Sequence, residues 1–258
     1  MVYITGSQGF LGSHLKDRFL DCVRVPHQDI QKTDWSEATK IFFLSTYGNM
    51  SHHYDMDKIV KANVSDLIFV LSKLDWSIIE SFVFISTSSV KLRYQTTYSR
   101  TKKAAEEILM SYMHEYDVPI TIIRPMSVTG VGEQPSHLIP KLIDSCINGT
   151  EMDFVSEPTH DFIDVDDVVD GIMNLSDNKA TGIFELGNGI MVKNSEVLDI
   201  VELVTERKAN IKKVESMRAY DNEKWVSENF KSRGYGWLPK KTLLQSITEM
   251  VDQIKNAS

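Results

Sequence analysis

"VYITGSQGFLGSHL", residues 2–15, decides the fold. Val2–Thr5 reads as a buried strand, and Gly6 closes it. Leu11, Leu15 and Phe19 then recur at helical spacing, predicting a helix over 12–20. Gly6, Gly9 and Gly12 stand three residues apart between the two elements. The first glycine permits a tight turn, the second lets backbone approach a pyrophosphate, and the third allows close helix–strand packing. The helix start then offers free N–H groups and a positive dipole end to phosphate. Three glycines also occur in plain tight turns. Their place after the first strand, inside a β-α-β pattern, points to a dinucleotide.

Working outward, short apolar runs alternate with helical patterns. "CVRV" (22–25) is a second strand ended by Pro26, and "IFFLS" (41–45) a third. Residues 58–73 place Val60, Val64, Leu67 and Leu71 on one helical face. "FVFIS" (82–86) and "ITIIRP" (120–125) are further strands. Between them, 99–116 reads as a helix with Ala105, Ile108, Leu109 and Tyr112 on one stripe. Strands apolar on both faces, separated by helices, imply an α/β fold: a Rossmann-type, doubly wound parallel sheet. After Pro125 the texture changes. Gly130, Gly132 and Pro135 mark an irregular loop, and "HLIPKLIDSCI" (137–147), 195–207 and 240–255 read as helices. A boundary near 130 separates a dinucleotide-binding core (1–130) from a mostly C-terminal substrate lobe (131–258), with some segments returning to the core.

The chain has 258 residues, 42% of them hydrophobic, enough for a sizeable core. A net charge of −8 and a pI near 5.4 argue against nucleic acid or an anionic membrane as partner. Cys22 and Cys146 lie far apart and read as free thiols of a cytosolic protein. No Cys/His spacing indicates a metal site. The N-terminus lacks a basic signal region, and no run reaches the roughly 18 apolar residues of a membrane span. A soluble, cytoplasmic protein is expected.

"STSSVKLRYQTTYSRTK" (86–102) carries the chemistry. Tyr98 and Lys102 are four residues apart, on one helical face, about 6 Å apart along the axis. A free tyrosine titrates near about 10, and a nearby ammonium lowers that value. The phenol then exchanges a proton with an alcohol near neutral pH. A hydroxyl at the preceding strand end orients the same oxygen, and a hydride acceptor completes an alcohol–ketone oxidoreduction. Tyr and Lys at this spacing also arise by chance on helices. Their position after a strand-end hydroxyl cluster, downstream of the glycine turn, favours the chemical reading.

Taken together, these segments resemble the extended short-chain dehydrogenases/reductases of the NAD-dependent epimerase/dehydratase family, over residues 1 to about 240. "TGSQGFLG" resembles the cofactor turn, "IFFLS" the strand lining the cofactor, and "KANVSDL" the Asn-containing helix start. "FISTSSV" resembles the strand with the catalytic hydroxyl, and "YSRTK" the Tyr-x-x-x-Lys. "IIRPMSVTGVG", "DFIDVDDVVDGI" and "FELGNG" resemble later family segments. The resemblance implies Thr87 as catalytic hydroxyl (with Ser88 as fallback), Tyr98 as acid/base and Lys102 as its partner, which also bonds the nicotinamide ribose. It places Gly6, Gly9, Phe10, Leu11 and Gly12 at the pyrophosphate. Leu44, Ser45, Thr46 and Asn63 fall on the cofactor side, and Pro125 and Ser127 near the nicotinamide amide. It also implies a homodimer through the helices at 58–73 and 99–116.

Departures refine the expectation. Lys91-Leu92 replace a Tyr-Gly, and the loop from Val90 to Tyr98 is short. Ser88 and Ser89 replace the Asp-Glu of dehydratases, which speaks against 4,6-dehydration. His160 stands where an arginine often grips the diphosphate. After the second strand, "VRVPHQD" (23–29) presents Arg24, Pro26 and His27 before the first carboxylate, Asp29. An NAD site usually carries an acid there, so the lean is slightly to NADP over NAD. Of Asp164, Asp166 and Asp167, one reads as the cap of the following helix and the others as contacts at the cofactor-domain edge, not as a metal site. His52 and His53 read as solvated loop histidines, the alternative being that they reach the substrate cleft, since the loop after "IFFLS" faces the cofactor in such sheets. His137 is a weaker substrate-contact candidate, and Trp35, Trp76, Trp225 and Trp237 read as packing. The expected function is NAD(P)-dependent oxidoreduction at a sugar carbon of a nucleotide-activated sugar, by an epimerase or a 4-keto reductase. The alternative is a non-catalytic NAD(P)H sensor.

Overall fold

A computed structural model of the chain describes residues 1–50, 53–215, 223 and 225–257. They form two compact units: Met1–Pro125 with Val169–Glu185 and Phe230–Trp237, and Met126–Val168 with Leu186–Asn229 and Leu238–Ser258.

The first unit begins with β1 (Val2–Thr5), α1 (Phe10–Lys16), β2 (Val23–Val25) and β3 (Lys40–Phe43). A continuous helical stretch follows, made of α2 (Met56–Val60), a π-helical turn over Lys61–Ser65, and α3 (Asp66–Leu71). Then come β4 (Ser81–Ile85), α4 (Thr97–Tyr116) and β5 (Ile120–Pro125). Strands β1 to β5 pair in parallel, with Tyr3 opposite both Val23 and Ile41, and Phe42 opposite Val83. A later strand, described below, completes a six-stranded sheet at the β5 edge.

Order in this sheet reverses at β1, which lies between β2 and β3. Such a reversal opens a crevice beyond the carboxyl ends of the two strands that flank it, here β1 and β3. Every residue of β4 and the first four of β5 are buried, as helices on both faces of a parallel sheet require. Phe43 packs against Phe82 and Phe84, with ring centroids 6.4 and 6.1 Å apart.

The expected stripe on 58–73 is corrected. Val60 is exposed, and the buried face is Ile59, Ala62, Asn63, Asp66, Leu67, Val70 and Leu71. The π turn inserts one residue into the helical repeat, which rotates the face that meets the core.

The second unit contains β6 (Ser127–Thr129), α5 (Leu138–Asn148), β7 (Met152–Phe154), β8 (Thr159–His160) and β9 (Phe162–Asp164). Helix α6 (Val165–Asp177) begins here, while its residues from Val169 onward and β10 (Gly182–Leu186) up to Glu185, the sixth strand of the large sheet, are counted in the first unit. The second unit continues with β11 (Val192–Lys193), α7 (Asn194–Thr205), β12 (Ile211–Lys213) and α9 (Leu243–Ala257), and α8 (Phe230–Gly234) belongs to the first. In the second unit β6 pairs with β9, β7 with β12 and β8 with β11. Ile139, Leu142, Val197, Val201, Ile247 and Val251 from α5, α7 and α9 form its core.

The aspartates near β9 serve structure. Asp164 Oδ1 accepts the Asp166 N–H at the start of α6, and its Oδ2 accepts from Ser246 Oγ. Asp167 accepts the Lys240 and Lys241 N–H groups. No helix among the described residues is long and apolar enough to cross a membrane.

Candidate active site

The glycine turn is built for close approach. Gly6 has φ of +66°, and a Cβ there would lie 2.9 Å from the Ser45 nitrogen at the end of β3. A Cβ on Gly12 would sit 2.2 Å from the Gly6 carbonyl oxygen, so the first turn of α1 lies directly on the loop. Gly9 is the N-cap residue of α1, and its N–H reaches Gly6 O at 3.0 Å. The N–H groups of Phe10, Leu11 and Gly12 are then first-turn donors without an intrahelical acceptor. Thr5 Oγ1 accepts the amides of Leu44 and Ser45 at 3.0 Å each, which locks the ends of β1 and β3 together.

Asn63 braces the loop after β3. Its Oδ1 accepts from Thr46 Oγ1 (2.9 Å) and the Tyr47 N–H (3.0 Å). Its Nδ2 donates to Tyr47 O (2.8 Å) and Thr101 Oγ1 (3.0 Å). These four bonds use the amide's whole capacity. Asn63 thus acts on the cofactor side through the loop it holds. His53 belongs to the same loop: its Nδ1 accepts the Gly48 N–H at 3.1 Å, and its ring stacks on Tyr47. His52 lies outside the described residues.

Helix α4 carries Tyr98 and Lys102 one turn apart. Tyr98 is hydrogen-bonded to Thr46, not to Thr87. Burial raises its phenol above the ordinary value, and the bond to Thr46 acts in the opposite direction. The expected lowering by Lys102 is thus corrected. The ammonium that was to stabilise the phenolate is itself disfavoured by burial. Lys102 is 1% exposed and lies 4.1 Å from the Phe84 ring centroid. Its Nζ has no hydrogen-bond partner among the described residues. Burial brings it down to about 7, with Glu106 pulling the other way.

Thr87 follows β4 and caps a short 3-10 turn, Ser88–Lys91. Its hydroxyl lies 3.0 Å from Ser89 Oγ, which lies 2.8 Å from Ser99 Oγ. Ser88, the fallback, is buried. Lys91, in the substituted Tyr-Gly position, makes a 2.6 Å ion pair with Glu185. Pro125 ends β5 in this unit, while Ser127 opens β6 in the second.

One pair escaped the sequence reading. Glu106 is wholly buried, accepts from Ser86 Oγ at 2.6 Å, and binds Arg124 through two bonds of 2.8 and 2.6 Å. The available signal was spacing: Glu106 stands four residues beyond Lys102, on the same helical face. Elsewhere, His137 pairs with Glu133 at 3.1 Å, and His160 packs on Trp225.

Two features test whether a dinucleotide suits these residues. Gly6 and Gly12 leave no room for a Cβ, which draws the loop and the first turn of α1 together beside the free first-turn N–H groups. The orphaned Lys102 ammonium lacks acceptors that a ribose diol provides. Both fit.

The model of the NAD dependent epimerase/dehydratase family matches residues 79–187, from the start of β4 past the end of β10. The low-salt glycan biosynthesis protein Agl12 of Haloferax volcanii is 25% identical over 170 residues, covering 64% of this chain and 54% of that protein. A human dTDP-D-glucose 4,6-dehydratase is 23% identical over 202 residues, covering 67% and 56%. The chain thus spans little more than half the length of these curated relatives. Among solved structures, a UDP-N-acetylglucosamine 4-epimerase from Methanobrevibacter ruminantium superposes with a TM-score of 0.90 at 17% identity. It covers 100% of this chain and 98% of that one. MoeE5 in complex with UDP-glucose and NAD superposes with a TM-score of 0.88 at 20% identity, covering 99% of each chain.

Proposed function

We propose that this chain, whose residues 79–187 match the model of the NAD dependent epimerase/dehydratase family, catalyses NAD(P)-dependent oxidoreduction at a sugar carbon of a nucleotide-activated sugar. The observation that carries the reading is Lys102: a buried amino group with no hydrogen-bond partner among the described residues, one helical turn from a phenol. An unpaired buried charge is costly, and it persists where function requires it.

In this reading the backbone of Gly6, Gly9, Phe10, Leu11 and Gly12 receives the pyrophosphate. Leu44, Ser45 and Thr46 flank the dinucleotide, and Pro125 stands beside the nicotinamide. Lys102 donates to the ribose hydroxyls, which restores its charge and with it the support of a Tyr98 phenolate. A bound nicotinamide supplies or takes up the hydride. Tyr98 gives its phenolic proton to the sugar oxygen on reduction and takes it back on oxidation. Thr87 holds that oxygen by a hydrogen bond.

The lean to NADP rests on the end of β2. No carboxylate stands there on the strand itself. His27 Nδ1 lies 3.4 Å from Ser45 Oγ and 3.7 Å from the buried Asp66, and Lys61 at 2.7 Å and Gln31 at 2.8 Å offset that carboxylate. A corner with balanced charge tolerates a 2′-phosphate. Exposed Val60 and Ile68 supply apolar surface for the expected homodimer.

The test is a screen of nucleotide sugars, with the keto forms included, against both cofactors. Steady NADPH or NADH consumption identifies a reductase. Interconversion with no net consumption and a retained nicotinamide absorbance identifies an epimerase. Tight cofactor binding without turnover of any nucleotide sugar would favour the sensor and overturn the enzyme reading.

A further inference from the structure

Four hydroxyls form an unbroken chain on the first unit. Thr87 Oγ1 lies 3.0 Å from Ser89 Oγ, Ser89 Oγ 2.8 Å from Ser99 Oγ, and Ser99 Oγ 3.1 Å from Thr96 Oγ1. The chain starts at the hydroxyl placed on the reacting oxygen and ends at an exposed residue, the N-cap of α4. Its inner link, Ser99, is 2% exposed.

The orientation of these bonds is open in a specific way. In each of the three, either oxygen serves as donor. The two ends are held alike by backbone: the Ser89 N–H donates to Thr87 Oγ1 at 3.2 Å, and the Ser99 N–H donates to Thr96 Oγ1 at 3.3 Å. Neither end therefore forces one direction on the chain. A hydroxyl carries one donor and two acceptor sites, so each member both accepts and donates. Such a chain conducts a proton when every hydroxyl takes one from one neighbour and releases its own to the next.

The phenol's partner gives a different outcome. Thr46 directs its hydroxyl to Asn63 Oδ1. Asn63 is an amide with all four bonds in use, and an amide does not hand a proton onward at neutral pH.

We propose that Thr87, Ser89, Ser99 and Thr96 form a proton wire between the reacting oxygen and solvent, with Ser89 and Ser99 as positioning residues that reach the substrate only through Thr87. The inference rests on the oxidoreductase reading above. Reduction of a ketone consumes one hydride and one proton. Tyr98 delivers its proton to the new hydroxyl and is left as phenolate. One proton then enters at Thr96 and shifts through Ser99 and Ser89 to Thr87. Thr87 passes its own proton to the substrate oxygen, which returns one to Tyr98. Rotation of the four hydroxyls resets the chain, and the net uptake is one proton from solvent.

The test compares Ser99→Ala, Ser89→Ala, the double variant and Ser99→Thr with the wild type, using turnover in H2O and D2O. Nicotinamide binding and melting temperature are followed in parallel. Each single Ala variant is expected to lose on the order of tenfold or more in kcat, with an altered solvent isotope effect and unchanged cofactor binding. The double variant should be no slower than either single one, because one missing link interrupts the whole wire. Ser99→Thr, which keeps a hydroxyl, should restore rate and isotope effect. Ser89→Ala keeps the test decisive should Ser99→Ala fail to fold. Wild-type kcat and isotope effect in both single variants overturn the wire alone, as do losses that simply multiply in the double variant. A wild-type protein that turns over no nucleotide sugar overturns the reading beneath it, and the wire with it.

Discussion

Lys102 Nζ rests 4.1 Å from the centre of the Phe84 ring, with no hydrogen-bond acceptor among the described residues. The aromatic face gives partial compensation for lost water, on the order of 1–2 kcal/mol. Burial still lowers this group from 10.5 to about 7. Between about 7 and roughly 10.4 the unfolded chain binds a proton that the folded chain does not, so this group's contribution to stability rises with pH across that window. Below about 7 the folded chain carries a buried charge, and the penalty is complete. Lys102→Met should therefore raise the melting temperature of the cofactor-free protein at pH 6, on the order of 5 °C, and raise it less at pH 9. Calorimetry at the two pH values checks this. A variant that melts below wild type at pH 6 would contradict the account.

Tyr98→Phe removes one oxygen and leaves the ring. Turnover should fall by roughly 10²–10⁴, the range for a lost acid/base group. Cofactor affinity should stay within about twofold, since the lost hydroxyl bonds Thr46, a protein group. Fluorescence titration of the reduced nicotinamide separates the two effects. Retention of most activity would remove Tyr98 from the reaction.

Gly12→Ala places a methyl carbon 2.2 Å from Gly6 O and 2.9 Å from Ser7 Cα. The neighbours are backbone, so the loop itself has to move. We expect a stability loss of about 1–3 kcal/mol, typical of overpacking, and loss of dinucleotide binding. Urea unfolding and equilibrium dialysis measure the two. Normal binding in a folded variant would show that the loop does not receive the phosphates.

Glu106 and Arg124 should behave as a coupled pair. Glu106 is fully buried and Arg124 nearly so, joined by two short bonds. Glu106→Leu alone strands the guanidinium, at a cost of about 3–5 kcal/mol. The double variant Glu106→Leu/Arg124→Met should be clearly more stable than Glu106→Leu alone, because the guanidinium is removed together with the carboxylate that paired it. A double-mutant cycle in urea reads the coupling, and additive losses would refute it.

From β1 to β5 the order of the elements and the type of each were legible in the sequence; the short strands after Pro125 and helix α6 were not. Apolar runs such as Ile120–Ile123 and glycines at fixed spacing act locally, through burial on both faces and through turns that exclude side chains. The Tyr98–Lys102 pairing was legible for the same reason, since four residues on a helix fix a shared face. The buried face of 56–71 was not, because its π turn is set by packing and has no local signal. The partner of Tyr98, the isolation of Lys102 and the link from Ser89 to Ser99 depended on tertiary structure alone. Hydrogen bonds between side chains on separate elements depend on distances of a few tenths of an ångström, and those arise only when the sheet and its helices have closed around them.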